Sequence, residues 1–283
     1  MIVEKSYAKI NLVLNITDKL NNGYHLLDSI MASIDFYDTL YIEESDKDEL
    51  ICNESIEGEN IISKTINYIR NLYDIKNKYV KVTLNKNIYI AAGLAGGSGN
   101  ASAIIRGLNK LWNLNMNIKD MNNIAKNIGA DVTYCLYNKL ARARGIGEEL
   151  TFIENNIKED IYCLLINPNF KINTKDAFEK IDRINKEYSK KSIKNDLVEQ
   201  AFINGSFIDI INNLENDFEK VAFSTHDELY NLKQEIDNSF DCDIKMSGSG
   251  PTLFLLSQSK EKLLNIKNKY INIYKTEVFK LLK

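Results

Sequence analysis

Two polar side chains, Lys9 and Asn11, stand one residue apart within the apolar run Ala8, Ile10, Leu12, Leu14 and Ile16. In an extended chain alternate side chains share a face, so an ammonium and an amide lie together. Val13 follows on their face, which argues against a face that simply meets water. An ammonium at a cleft floor can hold a carboxylate ionised or attract phosphoryl oxygens; on a solvated face it would do neither. The candidate carboxylate is Asp131, in Gly129-Ala130-Asp131-Val132. A carboxylate at the junction of two elements is held rigidly, as a base must be. Beside a phosphoryl donor it could orient a substrate hydroxyl for transfer; it would serve equally as a local turn cap.

Phosphate chemistry needs a cradle, and two segments offer one. The stretch Ala91-Ala92-Gly93-Leu94-Ala95-Gly96-Gly97-Ser98-Gly99-Asn100-Ala101-Ser102 is built almost wholly of small residues. Small residues admit a ligand close to the backbone, and a helix N-terminus offers unpaired N–H groups with partial positive charge. The second segment is Gly248, Ser249 and Gly250, between Ser247 and Pro251, whose backbone donors could face a phosphate or diphosphate. Either segment could instead be a plain turn where backbone crosses backbone. Neither fits the Gly-x-x-x-x-Gly-Lys-Ser/Thr or Gly-x-Gly-x-x-Gly fingerprint, and no His-Arg-Asp or Asp-Phe-Gly marks a protein kinase. Gly23-Tyr24-His25 could form a base-binding edge, with Tyr24 stacking, His25 supplying a directional hydrogen bond and Phe178 as the opposite wall. The bland alternative is a turn entering a strand and a core phenylalanine. Lys86, just before the first loop, is a further candidate nucleotide contact.

The elements that must position these groups are readable from periodicity. Residues 80–87 alternate as a strand, and Ala103, Ile104, Leu108, Leu111 and Trp112 recur at helical spacing over 100–114. Helices are predicted over 61–73 and 118–128, the latter closed by Gly129, with strands at 132–136 and 161–166. Gly145-Ile146-Gly147-Glu148 is a turn. A polar, Lys-rich passage at 185–195 is the expected seam. After it come helices at 196–203, 207–211, 216–223 and 227–239, strands at 244–247 and 252–256, a helix from 260 and a C-terminal strand. The pattern is α+β, with halves of 1–160 and 161–283 meeting at a cleft.

Composition narrows the function classes. A chain of 283 residues can bury one large core or two moderate ones, and 36 Lys and Arg against 39 Asp and Glu give a net charge of −3. Without a basic block, nucleic acid is not an expected partner. The N-terminus shows no apolar leader, and the longest apolar runs fall far short of a membrane span, so no membrane association and a cytoplasmic location are expected. Cys52, Cys135, Cys163 and Cys242 form no Cys-x-x-Cys pair, and His25 and His226 are the only histidines. Reduced, mostly core cysteines and no structural zinc are expected; any metal would arrive with phosphate and bind through oxygens.

In order, Ala8-Lys9-Ile10-Asn11, Gly23-Tyr24-His25, Gly93-Leu94-Ala95-Gly96-Gly97-Ser98, Gly129-Ala130-Asp131-Val132 and Ser247-Gly248-Ser249-Gly250 resemble the motifs of the GHMP kinase superfamily over nearly the whole chain. The resemblance implies a two-domain α+β fold that binds ATP and a small alcohol between the domains and transfers phosphate to the alcohol. It implies that Lys9 and Asp131 are the catalytic pair: Asp131 takes or orients the hydroxyl proton, and Lys9 stabilises the developing charge. By the same resemblance Asn11 places the hydroxyl, Tyr24 and Phe178 sandwich the cytosine of a cytidylylated methylerythritol, and His25 reads its edge. Residues Ala91 to Asn100 would hold the phosphates of ATP, accompanied by magnesium. A sugar, homoserine or mevalonate-type alcohol, or a catalytically silent relative, are the alternatives; an aromatic sandwich favours a nucleobase. The pattern fixes no oligomeric state. Several residues depart from the family's usual choice: Tyr89, Ala91, Ala92, Ala95 and Gly99 in the first loop, then Thr133, Asn138, Lys139, Arg142, Arg144 and Met31. None of these removes a catalytic group.

Overall fold

The run that starts at Ala8 lies inside a longer strand, β1 (Ile2–Lys19), in which residues 8–16 are all buried. A hairpin leads from it into β2 (His25–Ser45), closed by the Leu20 N–H donating to Tyr24 O at 2.7 Å. The computed structural model describes residues 1–55, 60–184 and 192–283. The chain forms two compact units, one of Met1–Ala8, Phe36–Tyr89 and Ala95–Asn138, the other of Lys9–Asp35, Ile90–Leu94 and Lys139–Lys283. Both long strands pass from one unit to the other, so the units do not follow a single cut. The expected seam at 185–195 does not divide them, because 192–195 lie in the second unit; residues 185–191 are outside the described residues. Strands shared between two cores leave no compositional boundary to read.

In the first unit follow β3 (Glu49–Cys52), α1 (Ile61–Leu72), β4 (Tyr79–Asn85), α2 (Gly96–Leu111), α3 (Ile118–Ile128) and α4 (Ala130–Tyr137). β4 pairs antiparallel with β2 from Thr39↔Asn85 to Ser45↔Tyr79 and parallel with β3. Ile42, Val82, Ile66, Ile104, Leu108 and Ile124 fill the core between sheet and helices. Asn60 caps α1 by accepting from Ile62 N–H at 2.8 Å, and Asn117 with Asp120 forms a capping box on α3. Two expectations are corrected here. Residues 132–136 are helical, within α4, and all five are buried; with every side covered, a short apolar run shows no period that separates helix from strand. α2 also begins at Gly96, ahead of the expected 100, so the glycines of the small-residue stretch enter the helix rather than precede it.

The second unit adds β5 (Ala141–Arg144), β6 (Glu149–Phe152), β7 (Tyr162–Asn167), α5 (Thr174–Ile184), α6 (Lys194–Asn204), α7 (Phe207–Ile211), β8 (Glu215–Asn216), α8 (Phe218–Thr225), α9 (Asp227–Phe240), β9 (Lys245–Met246), β10 (Leu253–Ser257), α10 (Lys260–Tyr270) and β11 (Lys275–Lys280). β5 pairs with β2 at Ser29↔Ala143, and β8 lies parallel to β1 at Val13↔Glu215 and Leu14↔Asn216. A separate antiparallel sheet runs β11-β7-β10-β9. Its core joins Ile166, Leu253, Phe218, Leu229, Ile236 and Ile266. The Gly145–Glu148 turn connects β5 to β6 as expected.

All four cysteines are free; Cys135 and Cys163 are buried, and Cys52 and Cys242 partly so. Burial pushes the Cys242 thiol up to about 11, which keeps it protonated and unreactive near neutrality. Among the described residues no helix is long and apolar enough to cross a membrane.

Candidate active site

In the second unit Lys9 and Asn11 are each only 4% exposed. Lys9 Nζ donates to Asn11 Oδ1 at 2.5 Å, Asn11 Nδ2 to Ser29 Oγ at 2.9 Å, and Ser29 Oγ to the carbonyl of Val13 at 2.6 Å. This relay fixes which way the Asn11 amide points and holds the ammonium beside it. Ser29 escaped the sequence reading: it stands in β2 where residues 29–34 are all buried, so no alternation marks it. The backbone N–H of Lys9 donates to Leu94 O at 3.1 Å, so the small-residue stretch is tied directly to β1.

That stretch is shared, 90–94 belonging to the second unit and 95–100 to the first. Gly93 has φ +75°, and a Cβ there would overlap the carbonyl of Ser247. Gly248 has φ +57°, and its Cβ would stand 2.9 Å from Gly93 O. Ser247 Oγ donates to that same Gly93 carbonyl at 3.0 Å. The two glycine segments therefore meet backbone to backbone, which explains these two glycines without any ligand. Ser249 Oγ lies 2.8 Å from Thr174 Oγ1. Beside it a cavity of about 170 Å³ opens between α5 and α8, floored by Ala177, Phe218 and Val221 with Lys180 and His226 among its lining.

In the first unit the N-terminal turn of α2 starts after Ala95, which supplies no side-chain cap to the leading N–H groups. Gly97 is exposed and Ser98 half-buried, the arrangement an anion can use. Ala91 and Ala95 take left-handed conformations, φ +52° and +54°. That region ordinarily favours glycine, so the fold imposes the turn on these alanines at about 1–2 kcal/mol per residue. Lys86 is also corrected. It points inward and donates to Asp38 Oδ2 at 2.6 Å, with both side chains buried. Burial pushes its ammonium below the ordinary lysine value, while Asp38 pulls the other way. Asp38 Oδ1 accepts from Asn87 N–H at 2.7 Å and Ile88 N–H at 2.8 Å. Asn100, with its amide nitrogen turned toward them, donates to Asp38 Oδ2 at 2.9 Å, Ser6 Oγ at 3.0 Å and Gly96 O at 3.2 Å. Asp131 is the second residue of α4 and half-buried. Ser102 Oγ donates to Cys135 O at 2.9 Å, joining α2 to α4.

The aromatic group lies in the second unit. His25 stacks on Phe178 with centroids 4.6 Å apart, and Phe218 meets Phe178 edge-on at 4.9 Å. Asp182 Oδ1 lies 2.6 Å from His25 Nε2, and its other oxygen accepts from Lys19 Nζ at 2.5 Å. An ionised carboxylate only accepts, so Nε2 carries the proton. Asp182 was missed, though it follows Phe178 by one helical turn. Tyr24 is 59% exposed. Arg142, an unusual choice beside the expected site, is buried against Asp28 at 2.7 and 2.6 Å, Asp196 at 2.6 Å and Glu199 at 2.8 Å. Those carboxylates, Asp28 foremost, hold its guanidinium well above the ordinary value.

Residues 60–139 match the GHMP kinases N terminal domain, and residues 198–276 match the GHMP kinases C terminal domain. The 4-diphosphocytidyl-2-C-methyl-D-erythritol kinase of Clostridium tetani is 36% identical over 278 residues, 95% of this chain and 97% of that protein. The chain belongs to the GHMP kinase family. The enzyme of the same name from Thermoanaerobacter pseudethanolicus is 38% identical over 92% of this GHMP kinase and 88% of its own length. In fold, the kinase is similar to a crystal structure of 4-(cytidine 5'-diphospho)-2C-methyl-D-erythritol kinase, with a TM-score of 0.79 at 20% identity over 100% of both chains. It is similar also to homoserine kinase from Cytophaga hutchinsonii, with a TM-score of 0.70 at 17% identity over 99% of this chain and 94% of that one. The α+β GHMP fold expected from the motifs is borne out.

Proposed function

We propose that the chain transfers the γ-phosphoryl group of ATP to the C2 hydroxyl of 4-diphosphocytidyl-2-C-methyl-D-erythritol, giving the 2-phosphate and ADP in non-mevalonate isoprenoid precursor synthesis. The observation that carries this reading is 36% to 38% identity, over nearly full length, to enzymes of that name. The hydroxyl oxygen forms the new bond to the γ-phosphorus as the bond to the β,γ-bridging oxygen breaks, and ADP leaves. Asp131 accepts the hydroxyl proton, and Lys9 stabilises charge on the reacting oxygens. Asn11, fixed between Lys9 and Ser29, orients the hydroxyl. The start of α2, reached through Ala91, Ala92, Gly93, Leu94 and Ala95, holds phosphate oxygens through Gly96, Gly97 and Ser98. The Gly99 N–H is bonded to Ala95 O and the buried Asn100 amide to Asp38, so these two support the turn from within. Gly248, Ser249 and Gly250 support that loop. Tyr24, His25 and Phe178 receive the cytosine in this reading, with His25 and Phe178 stacked on each other and Asp182 meeting His25 Nε2.

Among the described residues no group of three or more His, Cys, Asp or Glu could hold a metal. Magnesium in this reading is carried on the phosphates of ATP as part of the co-substrate. The two family matches fall on either side of residue 160, which supports 1–160 and 161–283 as N- and C-terminal portions of the sequence; the compact units, both of which draw on residues 1–160, divide the chain differently. The four free cysteines fit a reducing, cytoplasmic compartment.

The test is ADP release with Mg-ATP and the cytidylyl alcohol, comparing wild type with Asp131→Asn. Substrate-dependent turnover, reduced at least about a hundredfold in the variant while ATP binding persists, is the expected result. A folded, ATP-binding wild type without turnover would replace this reading with another alcohol substrate or a silent relative.

A further inference from the structure

We infer that Asn216 is a positioning residue for nucleotide binding, acting through the second glycine segment; this rests on the reading that both glycine segments serve ATP. Asn216 is 5% exposed, and both ends of its amide are engaged. Nδ2 donates to the carbonyls of Met246 at 2.7 Å and Gly248 at 2.8 Å, and Oδ1 accepts from Phe218 N–H at 2.9 Å. Its neighbours act on the same region. Glu219 Oε1 accepts from Met246 N–H at 2.8 Å, and Asp217 Oδ2 accepts from Ile16 N–H at 2.8 Å. Asn216 itself pairs with Leu14 of β1.

These contacts close a circuit within the second unit. From β1, the Lys9 N–H holds Leu94 O at 3.1 Å. The adjoining Gly93 carbonyl receives Ser247 Oγ at 3.0 Å, and Gly93 and Gly248 approach so closely that neither admits a side chain. Gly248 is held by Asn216, which returns to β1 at Leu14. Only an amide can do this work at that position. It donates twice to buried carbonyls while accepting once, so aspartate lacks the donors and leucine lacks both functions. Releasing Gly248 O and Met246 O frees the Ser247 turn to shift, and with it the Gly93 carbonyl that sets the path of the phosphate loop beside Lys9.

The experiment measures binding of a non-hydrolysable Mg-ATP analogue by calorimetry, together with kcat and both KM values, for wild type, Asn216→Ala, Asn216→Asp, Ser247→Ala and the Asn216→Ala/Ser247→Ala double variant. Circular dichroism and cooperative unfolding identify the temperature at which each is folded. Asn216→Ala is expected to weaken nucleotide binding and lower kcat by roughly tenfold or more, with KM for the alcohol within about twofold. The double variant should fall short of the product of the single effects, because both act on one contact path. Asn216→Asp, which keeps the acceptor for Phe218 N–H, should behave like Asn216→Ala. A folded Asn216 variant with wild-type nucleotide affinity and kcat, altered only in melting temperature, overturns the inference. So does failure of both Asn216 variants to fold, which makes the residue structural. Wild type that binds nucleotide without turning over the alcohol rejects the substrate assignment alone, and the calorimetric comparison still decides Asn216. Wild type that binds no nucleotide rejects both.

Discussion

Lys86 Nζ and Asp38 Oδ2 form a 2.6 Å ion pair shut away from water, close enough to α2 that a Cβ on Gly96 would stand 2.9 Å from the ammonium. Breaking a buried pair from one side strands the other charge. Asp38→Asn keeps an acceptor for the Asn87 and Ile88 N–H groups yet leaves the ammonium without its counter-charge. It should cost about 3–5 kcal/mol by urea unfolding, with Asp38→Asn/Lys86→Met recovering a large part. A loss below about 1 kcal/mol in the single variant would show that the ammonium finds solvent or another partner.

Ala91 and Ala95 hold φ values of +52° and +54°, where a Cβ is strained. Replacing either by glycine should stabilise the chain by up to about 1 kcal/mol, the relief of about 1–2 kcal/mol being partly offset by glycine's larger unfolded-state freedom. Urea unfolding of each single variant checks this, and destabilisation would mean that the methyl group makes compensating contacts.

Tyr24 is exposed at the mouth of the hairpin while His25 is already stacked on Phe178. Aromatic–base stacking contributes about 1–3 kcal/mol, so Tyr24→Ala should raise KM for the cytidylyl alcohol roughly tenfold and leave KM for ATP nearly unchanged. Equal losses for both ligands would contradict the stacking role.

Burial raises the Glu219 carboxyl above its ordinary value of 4.5, against the pull of the Met246 N–H. Between the unfolded and the raised folded value the native state binds more protons than the unfolded state, so stability falls as pH rises through that window. Below 4.5 the side chain is protonated in both states and this loss is absent. Glu219→Gln keeps an acceptor oxygen without the charge. Its stability relative to wild type should therefore increase from pH 4 towards pH 7 in parallel urea titrations; a flat difference would show that Glu219 ionises in the fold at no cost.

Much of the fold was legible because local period is a property of the backbone. The helices at Ile61–Leu72 and Ile118–Ile128 lie where spacing predicted them, since each shows one apolar face. α4 was misread because residues 132–136 are covered on every side, and such a run carries no period. Lys86 was read as a candidate nucleotide contact because no local signal reports Asp38, forty-eight residues away in the chain.

Sequence alone determined the alternation that sets Lys9 beside Asn11, the two small-residue segments, the residue types for phosphoryl transfer and the ordered motifs of the family. These depend on chain geometry and on chemistry carried by single residues. Tertiary structure decided that strands β1 and β2 serve two cores, that Gly93 and Gly248 make room for each other's backbone, that Asp182 orients His25, and that Asn216 clasps the second glycine segment. Each of these is a contact between residues far apart in the chain, whose energy exists only once folding has brought the partners together and excluded water from them.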